Sequence, residues 1–259
     1  MYYHRKSAEK MAENLTDKEF WLKFWETKQD QTVQTVPANI AMHKLFDKVL
    51  AKYSVKTAIE LGGFPGQYPI FLKKFRNIDT TLLDYVIYWP LFKKMLSTNG
   101  LTEKDIPVIE ADLFNYTPTQ TYDMVYSLGL IEHFTDMKDI IGRHLQFLKP
   151  GGALFILLPN FTGVNGAIQK NFDRPLYDVH NIACMDIDVL TKACQQLGLK
   201  DIDVKYDGGF SVWLDDPEKK SALLRAGVKT VWFAGKVFSK IFRFESKLLS
   251  PYITITATK

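Results

Sequence analysis

"IELGGFPGQY", residues 59–68, runs from an apolar strand-like stretch through Glu60 into a loop that holds Gly62, Gly63 and Gly66. Glycine is favoured where a backbone must turn left-handed or let another group come close. Phe64 and Pro65 interrupt the glycines, so the spacing decides which ligand chemistry the loop suits. A dinucleotide fingerprint G-x-G-x-x-G beginning at Gly62 needs glycine at 64 and 67, where Phe64 and Gln67 stand. A phosphate loop needs a lysine followed by serine or threonine, and none follows in register. Glu60 at the loop entrance would repel a polyphosphate and suits a cationic ligand.

The surrounding chain alternates two periodicities. "TAIEL" (57–61), "TTLLD" (80–84), "PVIEA" (107–111), "DMVYSL" (123–128) and "ALFILL" (153–158) read as strands, the last as one buried on both faces. "PIFLKKF" (69–75), "YWPLFKKML" (88–96) and "MKDIIGRHLQFL" (137–148) read as helices between them. This order predicts an α/β fold, a doubly wound, mostly parallel sheet with helices on both sides. "DIDVKY" (201–206) and "YITITAT" (252–258) alternate with the period of half-exposed or edge strands, the last expected to return antiparallel. Upstream, 38–52 carries apolar residues at helical spacing. "FWLKFWE" (20–26) predicts a helical turn or two before the break at Pro37. Residues 1–37 are therefore expected to form an N-terminal helical extension or lid, and 38–259 the main domain.

Composition narrows the setting. A chain of 259 residues with 46% hydrophobic and 24% charged residues suits a globular protein with a sizeable core. Its net charge of +4 is too small to imply a nucleic-acid partner. Cys184 and Cys194 form neither a metal-ligand spacing nor a disulfide framework, so no metal is expected and a reduced, cytoplasmic setting fits. No signal-peptide core and no apolar run of bilayer length occurs.

The glycine stretch resembles motif I of the class I S-adenosylmethionine-dependent methyltransferases, [DE]-x-G-x-G-x-G. Glu60, Gly62 and Gly66 match, and Phe64 takes the middle glycine position. Further landmarks follow in order: Asp84 ending the second strand, Asp112 in "EADLF", "YDMVYSLGLIEHF" (122–134), similar to motif IV, and "LKPGGALFILLPN" (148–160). The resemblance implies a Rossmann-like seven-stranded sheet and S-adenosyl-L-methionine as cofactor. It implies that Glu60, Gly62, Gly63, Phe64, Gly66, Asp84, Tyr85, Asp112, Leu113, Ser127 and Gly129 bind it, Asp84 at the ribose and Asp112 near the adenine. Phe64 is expected to widen the turn or to lean away and pack on a neighbour, with Gly63 as a flexible joint. Plainer readings stand beside these: a turn residue at Gly63, caps at Asp84 and Asp112, and a structural hydrogen-bonding role for Asp123.

The resemblance also places the chemistry. His180, in "YDVHNIA", is the candidate base, and His133, in "IEHF", either buttresses the cofactor pocket or shares that role. Asn160 and Asn181 are candidates for orienting the acceptor. "SLGLIEHF" is similar to small-molecule methyltransferases, including those acting on hydroxyls of sugars, lipids and secondary metabolites. "ELGGFPG" is similar to bacterial methyltransferases of surface-glycan pathways. The expected acceptor is a small-molecule, glycan or lipid-linked hydroxyl. A nicotinamide-dependent oxidoreductase lacks its glycine spacing here, and a non-catalytic methyltransferase-like binding module is the other alternative. The segment 221–249 interleaves Arg225, Lys229, Lys236, Lys240, Arg243 and Lys247 with apolar residues. It reads either as a basic amphipathic helix on an acidic membrane or, as favoured, as a helix with its apolar face on the sheet and its lysines in water. Phe20, Trp21, Phe24 and Trp25 form either a lid or an ordinary core contact.

Overall fold

Strand β1 (Thr57–Leu61) is held at its start by Asp123, which accepts hydrogen bonds from the Lys56 and Thr57 amides at 3.0 and 2.9 Å and an ion pair from Lys149 at 2.8 Å. Asp123 thereby has the structural role expected of it. From this start a seven-stranded sheet is built in the order β3-β2-β1-β4-β5-β7-β6. The remaining strands are β2 (Asp79–Asp84), β3 (Val108–Glu110), β4 (Tyr122–Leu128), β5 (Leu148–Pro159), β6 (Lys200–Asp207) and β7 (Tyr252–Thr258). The computed structural model describes residues 17–215, 217–242 and 245–259, apart from the side chains of 29–31. The first 16 residues of the expected extension, and Arg243 of the basic segment, lie outside them.

Side-chain alternation along each strand creates two cores. On one face Ile59, Val125, Leu154, Ile156, Ile253 and Ile255 pack under α5 (Met137–Phe147) and α8 (Ile187–Gln196). On the other, Ala58, Leu82, Met124, Tyr126, Phe155 and Leu157 meet α2 (His43–Lys52), α3 (Gln67–Arg76) and α4 (Trp89–Thr98). Helix α1 (Lys18–Thr32) precedes this body, and α6 (Val164–Phe172) and α7 (Arg174–Asp178) follow β5. The chain runs outward from β1 to β3 and crosses back to β4, so the strand order reverses between β1 and β4. Ligands of open α/β sheets bind beyond the strand ends at that point.

Three expectations change. The helix predicted over 38–52 begins only at His43, because Met42 takes a left-handed φ of 65° after a turn at 38–41. Strand β7 is internal and antiparallel to both β5 and β6, with Ile253, Ile255 and Ala257 fully buried. Its period of two reports an apolar face under α8, whereas β6 is the edge, guarded by exposed Lys200, Asp203 and Lys205. Helix α9 (Ala222–Phe242) buries none of its residues and does not pack on the sheet as favoured. No helix of the described residues is long and apolar enough to cross a membrane.

Phe46 of α2 stands at the centre of the second core, its ring 5.4 Å from Tyr68, 5.2 Å from Tyr126 and 5.1 Å from Phe155. Phe46→Ala is expected to cost about 3–5 kcal/mol, read as a lower urea midpoint at unchanged denaturant slope.

Candidate cofactor and acceptor site

The loop after β1 is shaped by what lies under and over it. Gly62 has φ of 67°, and its amide donates to the Leu83 carbonyl at 2.8 Å; a Cβ there would stand 2.6 Å from Leu130 Cδ1. At Gly63 a Cβ would lie 2.2 Å from the carboxyl carbon of Glu60. Gly63 is therefore glycine because the Glu60 side chain fills the space beneath it, and its backbone has no left-handed φ. Gly66, with φ of 88°, turns the chain into α3.

Phe64 leans away and packs, as one of the two expectations had it. Its ring meets Trp25 of α1 edge-on at 5.0 Å and Phe92 at 6.4 Å. Its amide donates to Asp84 Oδ2 at 2.9 Å, while Val86 donates to Oδ1 at 3.1 Å. Asp84 thus ties the end of β2 to the glycine loop. Burial pushes its carboxyl up to about 6, against those amide bonds. Glu60 is raised more strongly, by burial first and the charge of Asp84 second, and its Oε2 has no hydrogen-bond partner.

Two cavities adjoin at the strand ends. The first is lined by Gly62, Phe64, Asp84, Tyr85, Asp112, Leu113 and Gly129, with Trp21 and Trp25 of α1 and Leu130, Phe114 and Phe134 completing the wall. Asp112 also accepts from the Phe114 amide at 2.9 Å. Glu60, Gly63, Gly66 and Ser127 lie outside this wall. Ser127 is fully buried and bonded to His144 Nε2 at 2.9 Å. The second cavity is lined by Phe20, Trp21, Phe24, Tyr68, Glu132, His133, Phe161, His180, Trp213 and Tyr252, among others. Trp21, Gly129 and His133 belong to both. Helix α1, read from sequence as lid or core contact, thus walls both cavities. Asn160 and Asn181 line neither. Asn160 is buried and donates to the carbonyls of Lys247 and Ser250, and Asn181 donates to the carbonyl of Phe134.

The two histidines are fixed alike. His133 Nδ1 lies 2.9 Å from the Val179 carbonyl and His180 Nδ1 lies 2.6 Å from that of Leu176. A carbonyl only accepts, so each Nδ1 carries the hydrogen and each Nε2 keeps its lone pair. The rings are 4.8 Å apart, and Trp21 abuts His133 edge-on at 5.4 Å. Burial and the neighbouring His180 bring His133 down to about 4; burial lowers His180 too. Beside them Glu132, which spacing did not single out although it adjoins His133 in "IEHF", is pushed by burial up to about 8. Glu132, His133 and His180 bring one ligand atom each within 4.8 Å of one another. Tyr68, Phe161, Trp213 and Tyr252 were also missed, since no local pattern marks residues that meet only in the folded chain.

The first cavity, with aspartates at the ends of β2 and β3 and bare backbone at Gly62 and Gly129, fits a ligand carrying a diol and a flat ring. Residues 60–156 match a family model described as a methyltransferase domain. Over that stretch the chain is similar to a methyltransferase domain. Among curated proteins it is similar to phosphoethanolamine N-methyltransferase 1 of Triticum aestivum, 32% identical over 115 residues. That match takes in 42% of this chain and 22% of the wheat protein, so the chain spans about a fifth of its relative's length. An Archaeoglobus fulgidus structure of a SAM-dependent methyltransferase shares the fold with TM-score 0.56 and 15% identity over 93% of this chain and all of that one. Haemonchus contortus phosphoethanolamine N-methyltransferase 2, in complex with phosphomonomethylethanolamine and S-adenosylhomocysteine, superposes with TM-score 0.55 and 14% identity, over 83% of this chain and 52% of that one.

The contact between Gly63 and Glu60 generates a prediction for the loop. Gly63→Ala is expected to cost about 1–3 kcal/mol by overpacking. In a Glu60→Ala background the same change should cost clearly less, because the obstructing carboxyl is gone. Chemical denaturation of the four proteins of the cycle measures the difference.

Proposed function

We propose that this chain transfers a methyl group from S-adenosylmethionine to a hydroxyl of an acceptor with an apolar body. The observation that carries the reading is His133, which stands in the wall of both cavities beside His180. Asp84 would hold the ribose, Asp112 the adenine side, and Gly62 and Gly129 let the backbone approach the ligand. When bound, the cofactor supplies an activated methyl on a sulfonium. The protein's own part is to align the acceptor and receive its proton. His180, the more open of the two imidazoles, takes that proton at Nε2, and His133 holds the acceptor against the cofactor cavity. Helix α1 acts as a lid that keeps water from the pair. Two buried, free cysteines agree with a reducing, cytoplasmic setting.

The likeness to phosphoethanolamine N-methyltransferases favours a second reading, an amine acceptor. Among the described residues no lysine or arginine lines the second cavity to meet a phosphate, while aromatic side chains dominate it. That lining speaks against a phosphate and suits an acceptor with an apolar body. Paired acceptors differing only in hydroxyl or amine, assayed for methyl uptake, separate the two readings.

Asp84 generates a pH dependence for cofactor binding. Diol hydroxyls donate to the ionised carboxylate, and this carboxyl ionises only above about 6 in the free protein. Calorimetry with S-adenosylhomocysteine should therefore show constant affinity above that pH and a loss approaching tenfold per unit below it. In Asp84→Asn the pH dependence should vanish and affinity at pH 7.5 fall about 10–100-fold.

His180→Asn is expected to lower kcat by about 10²–10⁴ while S-adenosylhomocysteine binding stays unchanged. Because burial lowers the His180 pKa, the wild-type rate should hold level to below pH 6.5 before it falls in acid. Proton transfer to His180 needs no cation, so activity should also survive a chelator. Loss of activity on chelation, restored by a divalent cation, would make Glu132, His133 and His180 a metal centre and sink the base assignment.

A further inference from the structure

Helix α9 spans 21 residues, about 31 Å at 1.5 Å per residue. It contains Arg225, Lys229, Lys236 and Lys240 and no acidic residue, so its charge equals the +4 of the whole chain. The rest of the molecule is electrically balanced. At 3.6 residues per turn the helix has three faces. The inner face rests on the loop after β6: Gly235 sits so close to Phe210 that a Cβ there would lie 2.1 Å from its ring. The two ends are tied down separately, by Lys220 pairing with Asp173 just before the helix and by Glu245 accepting from the Gly209 amide at 3.1 Å just after it. The four basic residues, spaced four, seven and four apart, share a second face.

The third face is apolar and points away from the protein. Leu223 is 86% exposed, Phe233 64% and Ile241 67%, with Val237 exposed between them. Soluble surfaces scatter single apolar residues, whereas a continuous strip of this kind marks a contact. Apolar surface flanked by lysines on one helix is the arrangement that lies in the plane of a bilayer, with the ring and aliphatic side chains among the acyl chains and the ammonium groups at the headgroups.

We propose that α9 docks the protein on an anionic lipid surface. The charge selects the occupant: a second copy of this chain would bring an equally cationic helix to the same face. Nucleic acid would leave the apolar strip in water. The four cations keep the helix on the surface, consistent with its not being apolar enough to cross. Phe210, on which α9 rests, is three residues from Trp213, and Trp213 lines the second cavity. Given the acceptor reading above, on which this part rests, the docked helix sets that cavity beside the membrane and fits a lipid-linked acceptor.

The test is flotation of the full chain with vesicles of phosphatidylcholine alone or with one third phosphatidylglycerol, at low and high salt. Binding should require the anionic lipid and weaken with salt. Lys229→Gln with Lys236→Gln should weaken it about 25-fold, at about fivefold per basic residue. Phe233→Ser with Ile241→Ser should abolish it. Both variants should bind S-adenosylhomocysteine as the wild type does, which separates docking from folding and from the methyl-transfer reading. Absence of binding to anionic vesicles would overturn the proposal. So would a lipid-free dimer in sedimentation that the Phe233→Ser, Ile241→Ser variant dissociates.

Discussion

Three carboxyl groups stand at the ends of the central strands with no cation paired to them among the described residues: Glu60 and Glu132, both buried, and Asp84, half-buried in the cavity wall. Desolvation disfavours the charged form of each, and the charge of Asp84 adds to the burden on Glu60. Apolar residues at these positions would make a more comfortable core. The glycine loop is arranged around this constraint. Gly63 gives up its side chain to leave room for Glu60, the Phe64 amide reaches Asp84, and Gly62 and Gly66 take the left-handed turns that make both contacts geometrically compatible. Glu60 Oε2 and Glu132 Oε2 are left without a hydrogen-bond partner, while Asp84 is met by the Phe64 and Val86 amides. Such conflict between local comfort and the global fold concentrates at functional sites.

The same constraint explains what could be read in advance. β1 to β5 and the helices between them were legible because each strand is buried on alternating or on both faces, and each helix carries one apolar stripe. Those patterns are local. Glu60, Gly62, Asp84 and Asp112 were named by resemblance to the family motifs, and of these Gly62, Asp84 and Asp112 line the first cavity. The reason for Gly63 was not legible, because it depends on how the Glu60 side chain folds back three residues away. Ser127 illustrates the limit in the other direction: it sits at the same end of β4 as Gly129, yet its hydroxyl meets His144, and a strand's alternation decides which neighbour enters the cavity.

Periodicity was weakest where an element has apolar residues on more than one side. For β7, alternation could not distinguish an edge strand from an internal one, because it reports which face is apolar and not whether strands pair on both sides. For α9 the apolar content suggested packing, but the inner face meets Phe210 at Gly235 and the strip of Leu223, Phe233, Val237 and Ile241 is left outward. A sequence reports that a face is apolar without reporting what covers it.

The two ends of the site differ in how they are built, and this bears on how the acceptor could be chosen. The first cavity draws on consecutive strand ends and their loops, so its chemistry is fixed by the sheet itself. The second is assembled from Trp21 on α1, His133 after β4, His180 after α7, Trp213 after β6 and Tyr252 on β7. Changes at Trp213 or Tyr252 reshape it from outside the first cavity, whereas Trp21 and His133 wall both. Trp213 stacks on Tyr252 at 5.8 Å, and the loop leading to it carries Phe210 under α9. Whatever α9 rests on is thus coupled to the cavity wall through a few packed residues. Phe161 carries that route on to the histidine pair, its ring 6.1 Å from Trp213 and 4.9 Å from His180, while the carbonyls of Val179 and Leu176 fix the two Nδ1 atoms.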